Sequence, residues 1–188
     1  MTPLPKSPPE PGSKANLLSR WGFSWAGLCD NRRGEWWLVA QLLLIAAHLL
    51  PPWPAPGSWG YAWPLPLAAC GAGVFALGLV LALQAFFNLG ASLSPLPEPM
   101  AGAALVTTGA YRRCRHPLYQ AIVLCSFGVA LALGSLLHGA LCLALCGVLG
   151  GKARREERSL LAAHSEYSRY QATTAAIMPR LPWLDWRA

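Results

Sequence analysis

Gly109-Ala110-Tyr111-Arg112-Arg113-Cys114-Arg115-His116-Pro117-Leu118-Tyr119 packs three arginines, a histidine and two tyrosines between two long apolar runs. The apolar hairpin after it ends at Glu156-Glu157, the chain's one adjacent acidic pair. These two polar clusters are either the wet ends of membrane helices or two halves of one site. The choice depends on how the rest of the chain is laid out.

The chain has 188 residues, of which 54% are hydrophobic and only 12% charged, with a mean hydropathy of +0.36. Soluble domains carry about 25% charged residues, so half that value points to the membrane. Residues 1–16 hold Pro3, Pro5, Pro8, Pro9 and Pro11 with few apolar groups and read as a disordered tail. The first apolar run begins too late for a secretory leader, and no small-residue cleavage site comes after it. Residues 17–34 hold Trp21, Phe23 and Trp25, and two readings stand: an interfacial helix or a short buried one. Residues 35–188 read as the functional domain.

Four apolar runs come next: 36–50, 65–87, 118–133 and 136–149. Spanning a hydrocarbon core of about 30 Å takes about 20 helical residues. The second run meets that alone, whereas the first and the hairpin pair are short. Pro51-Pro52 closes the first run. Trp53, Trp59, Tyr61 and Trp63 then form an aromatic belt of the kind that favours a membrane interface. Gly134-Ser135 divides the last two runs. Gly147 and Gly151 stand four apart, a spacing that lets membrane helices approach closely. The expected fold is all-α: an integral membrane bundle of about four transmembrane helices, with a C-terminal helical hairpin and a cytoplasmic helical extension.

Charge sorting supports that layout. All 15 lysines and arginines lie before residue 34, between 88 and 117, or after 151, and the turns at 51–64 and 134–135 have none. With four spans this puts every cation on one side, which the positive-inside bias makes the cytoplasm, together with both termini. The membrane is the plasma membrane in a bacterium or the endoplasmic reticulum in a eukaryote. The net charge of +7 is thereby explained without a nucleic-acid partner; the expected partners are the lipid bilayer and a lipophilic or lipidated small molecule.

The two clusters then share the cytoplasmic face, since a hairpin brings its ends together. Pro117 marks a helix start, where proline costs no intrahelical hydrogen bond. The set offers cationic donors, two carboxylates, tyrosine rings and an apolar wall. S-adenosylmethionine matches it, through charge-assisted hydrogen bonds and a sulfonium that aromatic faces attract. A nucleotide or a lipid head group fits nearly as well. The plainer alternative leaves Glu156 and Glu157 as a solvated helix face beside Arg154, Arg155 and Arg158. His48 and His138 fall near the opposite membrane face, as packing or interfacial residues. Of the six cysteines, Cys142 and Cys146 share a helix face, but no metal site is expected.

Leu105-Val106-Thr107-Thr108-Gly109-Ala110-Tyr111, Arg115-His116-Pro117-Leu118-Tyr119 and Glu156-Glu157-Arg158-Ser159-Leu160 together resemble the isoprenylcysteine carboxyl methyltransferase and phospholipid methyltransferase superfamily. Asn88-Leu89-Gly90, Tyr167, Tyr170 and Met178-Pro179-Arg180-Leu181-Pro182 extend the likeness over about residues 65–183. The short, four-span layout looks most like its bacterial members. The resemblance implies an S-adenosylmethionine-dependent membrane methyltransferase. It implies cofactor contacts from Leu105, Val106, Tyr111, His116, Pro117, Leu118, Tyr119 and Glu156, with Glu157 grouped among them. Arg115 is the candidate catalytic residue, orienting a carboxylate of substrate or cofactor. Lys152 stands where the superfamily has a substrate-facing arginine, and keeps the charge without the planar fork. Ala121 replaces a usual glycine, and His164-Ser165 an aromatic-glycine pair. Two other classes remain: a redox, isomerase-type or haem-binding relative, and a non-catalytic scaffold. No GxGxxG and no central histidine pair favour the former, and the ordered motifs go unused in the latter. A transporter fits less well, since none of the eight acidic residues falls mid-span.

Overall fold

The computed structural model describes residues 25–98, 102–178 and 184–186. The proposed tail at 1–16 and residues 17–24 of the 17–34 segment lie outside the described residues. Within them the chain forms α1 (Trp25–Asp30), α2 (Glu35–Ala47), α3 (Leu65–Leu89), α4 (Pro117–Leu133), α5 (Leu136–Ala163) and α6 (Tyr167–Thr173), with no strand.

Two of these helices are long and apolar enough to cross a membrane: α3, with 25 residues, and α5, with 28. At about 1.5 Å per residue they measure roughly 37 and 42 Å. The core helix of a soluble protein would be mostly buried, but only 11% of the apolar window of α3 is. Leu77, Val80, Leu83, Phe86 and Phe87 all face outward. The 13-residue α2 and 17-residue α4 are apolar but shorter.

α3 lies against α4, α4 against α5, and α5 against α2, so that the two outer members of the row are α3 and α2. Glycines set the closest of these approaches. A Cβ added at Gly128 of α4 would stand 2.6 Å from the Phe75 backbone nitrogen, and one at Gly78 of α3 2.6 Å from the Cys125 sulfur. The Gly147/Gly151 spacing does something else. Gly147 meets nothing, while Gly151 makes room for the Trp37 indole and its neighbour Gly150 for Trp186. Gly150 and Gly151 accommodate indole rings, that of Trp37 coming from α2, whereas Gly147 takes no part in a close approach.

The hairpin turn reflects its chemistry. Gly134 closes α4 in the left-handed conformation (φ 58°), and the Ser135 hydroxyl caps α5 by accepting from the His138 amide. Trp53 ties the 51–64 loop to this turn: its amide donates to Ser135 Oγ (3.0 Å), and its carbonyl accepts from the Leu137 amide (2.8 Å). Trp53, Trp59 and Tyr61 keep most of their surface exposed. At the other end α5 runs unbroken past its apolar part into Lys152, Glu156 and Glu157. The helical extension expected beyond the fourth apolar run is thus part of the same helix.

Candidate functional site

The connector between α3 and α4 folds back on α3 through Asn88, whose side-chain oxygen accepts from the Ala110 amide at 2.7 Å. Gly109 lies over the Asn88 side chain with φ 62°, a close approach and a backbone conformation that both favour glycine. A single 3-10 turn, Gly109–Arg112, then buries Tyr111. His116 takes the position just before α4, and Pro117 starts the helix.

Glu157 organises the buried side of the site. Its side chain is fully buried, with Oε1 accepting from Arg115 Nε at 2.7 Å and from His116 Nε2 at 2.9 Å. Its other oxygen accepts from Gln171 Nε2 at 2.7 Å. A carboxylate only accepts, so Nε2 of His116 carries the proton and Nδ1 stays open toward the cleft. The Arg115 guanidinium, also fully buried, donates to the carbonyls of Gln171 (3.2 Å) and Thr174, and pairs with Asp185 at 3.5 Å. A second tether runs along the backbone. The Arg115 and His116 amides donate to the Ala175 and Ala176 carbonyls, both at 2.9 Å, and Gln120 Nε2 donates to the Ile177 carbonyl. The segment after α6 is therefore stitched onto the start of α4.

Glu156 has a different setting. Its carboxylate remains 29% exposed, and Oε2 accepts from the Tyr119 hydroxyl at 2.7 Å. His116 and Tyr119 stack with ring centroids 5.2 Å apart and planes within 5°. These groups border a cleft walled by Leu89, Ser92, Ser94, Leu96 and 103–106 of the connector. Tyr111, Arg115, Leu118, Leu160, His164, Tyr167 and Tyr170 complete it. Its enclosed part measures about 100 Å³.

Two polar atoms at this cleft are buried without a partner among the described residues: Arg115 Nη2 and the Tyr167 hydroxyl. Such atoms are rare because leaving one unpaired costs roughly 1–3 kcal/mol. Burial pushes the Tyr111, Tyr167 and Tyr170 phenols well up and the Cys114 thiol up to about 11. All four stay protonated near neutrality, so none acts as a strong base.

Of the residues singled out in the sequence, Leu105, Val106, Tyr111, Arg115, His116, Leu118, Tyr119 and Glu156 come together around this cleft. Pro117 sets the helix start behind it, and Glu157 lies under the Arg115–His116 pair. Lys152, one turn before Glu156, faces α2 instead, where its ammonium donates to Gln41 Oε1. Sequence reasoning did not include Ser92, Ser94 and Leu160, or Tyr167 and Tyr170 as lining residues. The two tyrosines carried a visible signal, since they recur three apart in a polar stretch; the serines carried none.

The family model for phospholipid methyltransferases matches residues 67–164, from α3 to the end of α5. The cobalt-zinc-cadmium resistance protein CzcN of Cupriavidus metallidurans is 38% identical over 78 residues, covering 41% of this chain and 36% of that protein. The matched part of this chain thus spans little more than a third of its relative. No solved structure matches the chain.

Proposed function

The chain belongs to the phospholipid methyltransferase family, and from that premise we propose that it is an integral membrane enzyme using S-adenosylmethionine to methylate a lipophilic acceptor. The reaction resembles isoprenylcysteine carboxyl O-methylation. One observation carries the reading. A partly exposed carboxylate and two buried donors without partners among the described residues, Arg115 Nη2 and the Tyr167 hydroxyl, converge on one cleft with a stacked His116–Tyr119 pair.

The donor set fits the cofactor. Glu156 accepts from ribose hydroxyls or an ammonium group, and the two orphaned donors serve a carboxylate. The aromatic faces of Tyr119 and Tyr111 favour a cation, and Leu105, Val106 and Leu118 supply the apolar wall. When bound, the sulfonium supplies an electrophilic methyl group. The protein's own part is to align the partners and keep water out, which suffices for an in-line displacement onto an anionic oxygen. Arg115 orients from below, itself fixed by Glu157. Pockets for drug-sized ligands hold roughly 300–1,000 Å³, so holding the whole cofactor would require this cleft of about 100 Å³ to widen.

In this reading α2 and α4 also cross the bilayer, giving four spans and cytoplasmic termini, with residues 35–188 as one enzyme domain. These helices reach only about 20 and 26 Å at 1.5 Å per residue. The outward Leu42, Leu43 and Ile45 and the exposed Trp36 and Trp53 support it, since flanking anchors and local thinning offset short spans.

The test is isothermal titration of the detergent-solubilised protein with S-adenosylmethionine and S-adenosylhomocysteine. Saturable binding of both, with a raised melting temperature, is expected. Folded protein that binds neither overturns the proposal.

A further inference from the structure

Leu184, Asp185 and Trp186 lie beyond residue 164, where the family match ends, yet they return to the site. Trp186 is only 6% exposed and belongs to the apolar cluster that includes Tyr119, Leu145 and Leu149. Gly150 of α5 gives its indole room, since a Cβ there would stand 3.2 Å from the ring. Leu184 packs on the same cluster. Two apolar anchors thus flank Asp185 and hold its carboxylate beside the start of α4. Asp185 Oδ1 accepts from the Ala176 amide at 2.9 Å and stands 3.5 Å from Arg115 Nη1.

The Arg115 guanidinium is therefore met by two carboxylates. Glu157 holds Nε at 2.7 Å, with both side chains fully buried. Nη1 is shared between the Gln171 and Thr174 carbonyls and Asp185, and of these contacts that of Asp185 is the longest. Strong pairings of this kind have their heavy atoms about 2.7–2.9 Å apart, so Asp185 is held loosely. Its side chain is also 19% exposed, and solvent reaches the charge. Nη2 has no partner among the described residues. A ligand carboxylate arriving at Nη2 would put a third anion around one cation, and like charges at such range disfavour one another. Glu157 cannot yield, since its enclosed carboxylate accepts from Arg115, His116 and Gln171. Asp185 can.

Building on the S-adenosylmethionine reading, we propose that Asp185 is an internal stand-in for the ligand carboxylate. It occupies the Arg115 guanidinium while the site is empty, and the arriving carboxylate expels it. Because Oδ1 makes both contacts, leaving Arg115 also releases the Ala176 amide. Leu184 and Trp186 stay seated, so the carboxylate swings back when the ligand departs. The effect is selective: Asp185 lowers affinity for ligands that bring a carboxylate and leaves other nucleosides unaffected.

The experiment pairs two probes that share the adenosine and the sulfur. S-adenosylhomocysteine carries an amino-acid arm with its carboxylate, whereas methylthioadenosine has a methyl group in place of that arm. Both are titrated by calorimetry into the full-length, detergent-solubilised protein. Asp185→Asn keeps an oxygen for the Ala176 amide and removes the charge. It should tighten S-adenosylhomocysteine about tenfold, equivalent to about 1.4 kcal/mol, and change methylthioadenosine by less than about twofold. Wild type gives a second readout that needs no variant. S-adenosylhomocysteine should speed hydrogen exchange at the Ala176 amide, and methylthioadenosine should not. A purely structural Asp185 predicts the reverse: the asparagine variant melts earlier, both probes weaken alike, and S-adenosylhomocysteine slows exchange at Ala176.

An equal change for both probes, or slower exchange at Ala176 with S-adenosylhomocysteine, overturns the inference. The cofactor reading then still stands, because both probes bind. Folded protein that binds neither probe overturns the two together.

Discussion

Two histidine networks lie at opposite ends of the helices, one at the hairpin turn and one at the connector, and they differ in how completely they are closed. At the hairpin end, His48 Nδ1 donates to the Leu44 carbonyl at 2.8 Å, which leaves Nε2 to accept from Ser126 Oγ at 2.6 Å. His138 uses both nitrogens too, with Ser135 Oγ at 2.9 Å and the His48 carbonyl at 3.3 Å. The two rings meet edge to face, 5.7 Å apart. At the connector end His116 has one nitrogen on Glu157, while Nδ1 stands 3.9 Å from Glu156. Arg115 Nη2 and the Tyr167 hydroxyl have no partner among the described residues. A closed network has used its polar capacity to join helices. An open one keeps donors and acceptors for something that arrives. The sequence sets His116, inside an ordered motif, apart from His48 and His138 as packing or interfacial residues; the hydrogen bonds give that distinction its physical content.

The strongest attempt to break this contrast is Glu157→Ala. It leaves the Arg115 guanidinium without the carboxylate that its Nε contacts, and removing one partner of a buried pair costs about 3–5 kcal/mol. α6 and the segment after it should loosen with it, because Glu157 holds Gln171 of α6 directly and fixes Arg115, which donates to the Thr174 carbonyl. Loss of that stability should appear in denaturation of the solubilised protein and as early proteolysis between α6 and Trp186. A cost below about 1 kcal/mol, the scale of an exposed pair, would mean that water already reaches Glu157 and that the network is not closed beneath the cleft.

Glu156→Gln separates function from stability at the same end. It removes a charge that is partly exposed and accepts a hydrogen bond from Tyr119, so the melting temperature should hardly move. A hydrogen bond to a charged group is worth about 1.5–3 kcal/mol, which predicts a loss of roughly 10- to 150-fold in S-adenosylmethionine affinity. Calorimetry gives both numbers on one preparation. Unchanged affinity would return Glu156 to the role of a solvated helix residue.

Much of this arrangement was readable from the chain. The runs at 65–87 and 118–133 became α3 and α4 almost residue for residue, because glycine, proline and the polar connector bound them. Pro117 and Gly134 mark their helix ends for local reasons. The meeting of Arg115 and His116 with Glu156 and Glu157 came from hairpin geometry, since both lie at the same end of α4 and α5. What stayed hidden depends on contacts between distant segments. The pairing of 115–116 with 175–176 involves backbone groups, which no side-chain pattern advertises. Gln41 gave no signal because one polar residue in an apolar run looks like a surface position until its partner is known. Gly147 and Gly151 misled because spacing along a helix says nothing about whether the facing surface is another backbone or an indole ring.

The mildest prediction tests the closed end. Ser126→Ala removes the hydroxyl that donates to His48 Nε2 within the α2–α4 contact. Ser126 is only 4% exposed, so water does not replace it freely, and a half-buried ring nitrogen is left without a donor. The expected cost is about 1–2 kcal/mol, a lost hydrogen bond plus part of the desolvation of the orphaned nitrogen. Cofactor affinity should stay within about twofold, because sites that share no partners act additively within about 0.5 kcal/mol. Combining Ser126→Ala with Glu156→Gln should then give the sum of the two single effects, one read in melting and the other in binding. A clear departure from additivity would show that the ends communicate along α4 and α5, and the hairpin-end network would then help to set the geometry of the cleft.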